Sequence, residues 1–174
     1  MKYTKRSNSG FSLIELVIVI TIVAVISYTI AAFILSATRT WLFIKSRETA
    51  LSQGRVTMER IVREIRRERN PLLITIKLSN ECEFVDIEDT ANTINIKQSG
   101  TDLLYSVNDG TGAVVSTLTS GLVNPGGLIF TYLDSNEATA AQSRDIRLVK
   151  VKLSLFLGTQ GVTLEDGVRL RNLL

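Results

Sequence analysis

Few side chains in this sequence could do chemistry, and the most conspicuous of them stands where a charge is costly. Glu15 is the one charged residue in the 25-residue run Phe11 to Leu35, FSLIELVIVITIVAVISYTIAAFIL. The 174 residues contain no His and a single Cys, Cys82, which excludes an imidazole base, a His-containing metal site and an intrachain disulfide. Cys82 lies in the apolar-polar stretch Glu81 to Val85 and reads as a small buried hydrophobe, not as a nucleophile. Asp134-Ser135-Asn136-Glu137 offers oxygen ligands without the spacing or glycine of a calcium loop, so a polar loop is expected there. Asn108-Asp109-Gly110-Thr111-Gly112 resembles a phosphate cradle only superficially: no Lys follows it and no strand-to-helix context surrounds it, so it reads as a turn. The expectation is a protein that is not an enzyme, with no metal and no cofactor.

Glu15 therefore carries the argument. A carboxylate at the centre of a spanning helix costs about 2.5 to 3.5 kcal/mol unless it is protonated or paired, and somewhat less near the edge. No basic residue lies within one helical turn, so the partner must be interfacial water, another chain or a charge created by processing. At about 1.5 Å per residue the run spans roughly 37 Å, enough to cross a bilayer. Lys2, Lys5 and Arg6 precede it, as in a secretory signal, and Ala31, Ala32 and Ala37 could mimic a late cleavage site. Such signals usually have a shorter apolar region, about 7 to 15 residues, so an uncleaved anchor fits better. Arg39, Lys45 and Arg47 beyond the run nearly balance the leader's charge; a ten-residue leader is easier to leave in the cytoplasm than the long chain behind it, which puts the N-terminus inside. Trp41, just past the run, suits an interfacial anchor, with Tyr28 within the run itself.

The rest of the chain must position this segment. Residues 1–70 hold 12 basic and 5 acidic side chains (net +7), residues 71–174 hold 8 and 12 (net −4), and Pro71 and Pro125 are the only prolines. Leu51, Met58, Ile61, Val62 and Ile65 mark one face of an amphipathic helix, with the i,i+4 pairs Glu59/Arg63 and Arg60/Glu64 on its wet side. Arg66, Arg67 and Arg69 suit the carbonyl end, Asn70-Pro71 stops the helix, and Gly54 suggests a bend. A continuous helix from Phe11 to Asn70 would reach roughly 90 Å. Beyond Pro71, Ile94/Ile96 and Leu103/Tyr105/Val107 alternate as strands do. Val149, Val151, Leu153, Leu155 and Leu157 share a face, Gly158 to Gly161 reads as a turn, and Val162, Leu164, Val168 and Leu170 return. Lys150, Lys152, Thr163, Glu165, Arg169 and Arg171 between them leave the other face wet. The expected fold is α+β: a leader (1–10), a transmembrane or assembly helix (11–35), its amphipathic extension (36–70) and an antiparallel β-rich domain (71–174) packed on the extension.

Gly10-Phe11-Ser12-Leu13-Ile14-Glu15-Leu16, behind a basic leader and ahead of about twenty apolar residues, resembles the prepilin signal of type IV pilins and type II secretion pseudopilins. The resemblance implies cleavage between Gly10 and Phe11 by a membrane aspartyl protease, N-methylation of the new Phe11 amine, and pairing of Glu15 with the amine of a neighbouring subunit. It also implies a long helix followed by an antiparallel sheet. The ending Val168-Arg169-Leu170-Arg171-Asn172 looks like J-type minor pseudopilins and related minor pilins. Ala32, where major pilins often carry proline, and the absence of a C-terminal cysteine pair lean towards a minor component, while Glu15 argues against the K-type tip subunit.

The function so implied is structural: a subunit of a type II secretion pseudopilus or type IV pilus. Its expected partners are the prepilin peptidase/methyltransferase, other pilins or pseudopilins, and the bacterial inner membrane, with the C-terminal domain periplasmic or extracellular. Two alternatives stand beside it. One is a signal-anchored binding module with Glu15 unpaired; the other is a DNA-uptake receptor contacting nucleic acid through Arg63, Arg66, Arg67 and Arg69, a patch diluted by Glu59, Glu64 and Glu68.

Overall fold

The computed structural model describes residues 12–67, 70–86, 89–157 and 160–170. The first element is a helix, α1 (Leu13–Arg67). The chain divides within α1 into two compact units, residues 1–44 and 45–174.

In the first unit, no described side chain of α1 is buried. The helix holds a stretch of mean hydropathy 2.7, long and apolar enough to cross a membrane. Its threonine hydroxyls are satisfied within the helix, as a lipid environment requires. Thr21 Oγ1 donates to the carbonyls of Val17 and Ile18, Thr29 to Ile26 and Thr38 to Ile34.

In the second unit the apolar positions of α1 narrow to a stripe, and Ala50, Gly54, Thr57, Met58, Ile61, Val62 and Ile65 are all buried. The stripe begins at Ala50, not at Leu51, which is only half-buried. The helix runs on unbroken through Gly54. A Cβ built there would lie 2.7 Å from Leu164 Cδ1 and 3.0 Å from Leu155 Cδ1, so the glycine permits close approach of helix and strand. Asn70, outside the helix, accepts from the Leu72 amide through its side chain and from the Leu73 amide through its carbonyl, and so organises the 3₁₀ turn Pro71–Leu73.

Two antiparallel meanders follow, where alternation alone suggested one sheet. The first contains β1 (Ile74–Lys77), β2 (Glu81–Val85), β3 (Thr93–Ser99), β4 (Asp102–Asn108) and β5 (Ala113–Ser120), paired in that order. The second contains β6 (Leu128–Leu133), β7 (Leu148–Leu157) and β8 (Gln160–Arg169). Their inner faces and the helix stripe share one core, with Ile61, Ile96, Leu103, Leu128, Val149, Val151, Leu153 and Leu155 fully buried. Each such side chain contributes about 1.5–3 kcal/mol of burial.

Gln98 of β3 ties the sheets together. Its Nε2 donates to the carbonyls of Gly100 and Val123, and its Oε1 accepts from the Leu128 amide at 2.9 Å. The β7–β8 hairpin is tighter than the sequence suggests: Leu157 pairs with Gln160, so Gly161 belongs to β8, and residues 158–159 lie outside the described residues.

Candidate assembly site at the head of the helix

Ser12 opens α1. Its carbonyl accepts from the amides of Glu15 (3.1 Å) and Leu16 (3.2 Å), so it sits at the N-cap position and Glu15 is the third helical residue. From there the Glu15 carboxylate reaches back, and Oε2 accepts from the Ser12 backbone amide at 3.4 Å. This is the glutamate arm of a capping box, and it puts the negative charge at the positive end of the helix dipole. The S-x-x-E spacing of Ser12 and Glu15 was available as a signal for this contact. Gly10 and Phe11 lie outside the described residues.

The other chemically suggestive residues are occupied with structure. Cys82 is 1 % exposed, and burial pushes its thiol up to about 11, so it stays protonated across the neutral range. Tyr132, beside it, is also pushed well above its ordinary value, first by burial. Asp134 Oδ1 accepts from the amides of Asn136 (2.8 Å) and Ala138 (3.0 Å), closing a turn in which Glu137 has φ 60°. Asp109 Oδ1 accepts from the Thr111 amide and hydroxyl, which holds its carboxyl below the usual range. Gly110 takes φ 83° in the same β4–β5 turn. Among the described residues no group of three or more Cys, Asp or Glu side chains is gathered as a metal site would require.

The arginines of the second unit do not form one free patch. Arg67 lies 3.6 Å from Glu64, and the Arg60 guanidinium lies 4.8 Å from the centre of the Tyr105 ring, while Arg63 and Arg66 are exposed. The Arg60/Glu64 pair suggested by spacing thus gives way to an i,i+3 ion pair and a cation–π contact. Arg69 lies outside the described residues.

Comparison with protein families matches residues 5–27 to the prokaryotic N-terminal methylation motif, the type IV prepilin-like signal. No curated protein and no solved structure matches the chain. The matched segment contains the capped helix start and Glu15. It also takes in most of the apolar stretch, whose length and composition fit a single-pass membrane anchor.

Proposed function

We propose that this chain is a structural filament subunit, a minor pseudopilin or minor pilin of a type II secretion pseudopilus or type IV pilus. It is made as a precursor with its N-terminus in the cytoplasm, cut after Gly10 and N-methylated on Phe11. The C-terminal domain then lies in the periplasm or outside the cell.

The observation that carries this reading is Glu15, capping its own helix within the matched motif, at the head of an apolar segment with no buried side chain among the described residues. Before assembly the carboxylate is stabilised by a backbone amide of its own chain. That amide belongs to Ser12, one residue beyond the amine that cleavage would create. A neighbouring subunit's amine offers a full charge in place of an amide dipole, and in a low-dielectric setting the exchange favours assembly in one axial register. Apolar packing of residues 13–35 against neighbouring helices supplies the bulk of the contact.

The test is Glu15→Leu, with processing and incorporation measured separately. Near-normal cleavage with loss of incorporation into filaments is expected. Normal incorporation would indicate a monomeric signal-anchored module instead.

A further inference from the structure

We draw no further inference here: the strongest candidate, the exposed outer edge of β5 with the groove of about 470 Å³ that its end forms with α1, carries nothing because nothing in the structure shows what covers it.

Discussion

The two halves of α1 have the same secondary structure and opposite surroundings. From Leu13 to Ile44 the helix is its most apolar, and no described side chain there is buried; from Lys45 to Arg67 it is studded with charge, and seven residues are buried. Apolarity is therefore a poor guide to where this protein builds its own core. The second half sets most of its apolar residues in one stripe against two sheets, whereas the first is apolar all round and has no buried side chain among the described residues. A helix of that kind requires lipid or other helices. The domain should accordingly be a self-sufficient fold, and the first half a segment whose energetics appear only in a membrane or an assembly.

That contrast can be broken by substitution. Ile61→Ala, deep in the stripe, should lower the stability of the domain by about 2–5 kcal/mol in chemical denaturation, while Ile22→Ala should leave the domain transition unchanged. Gly54→Val should cost about 1–3 kcal/mol through overpacking against Leu155 and Leu164, by the same measurement. Gln98→Ala removes three hydrogen bonds, among them the one to Leu128 of β6, and should cost about 1–3 kcal/mol, with faster amide exchange at Leu128. The smallest effect is that of pH. The Cys82 thiol ionises at a higher pH in the folded than in the unfolded chain. Its contribution is fully present below about pH 9 and is lost as pH rises towards about 11. Thermal melts of Cys82→Ala should show a shallower alkaline decline than the parent chain.

The sequence made the helix legible, because its stripe and its stop at Asn70-Pro71 are local patterns. The strands that alternate cleanly, β3, β4, β7 and β8, were legible for the same reason. β5 was not, since a strand exposed over most of its length has little alternation to read. Nor was the division into two sheets, because alternation assigns faces and says nothing about which strands share hydrogen bonds. Gly54 looked like a weak point by helix propensity, yet its role depends on Leu155 and Leu164, about a hundred residues away in sequence. At the head of the helix the anomaly of Glu15 was plain from its surroundings. Its contact with the Ser12 amide was less so, because attention to a missing counter-charge hid a capping spacing four residues long.

The central claim, that this chain is a processed filament subunit and not a permanently anchored domain, is tested most directly by intact mass and N-terminal sequencing of the protein extracted from membranes of cells carrying its own assembly machinery. The account predicts a chain that begins at Phe11 and carries one additional methyl group. A chain still beginning at Met1, or one beginning near residue 33 or beyond, would contradict it.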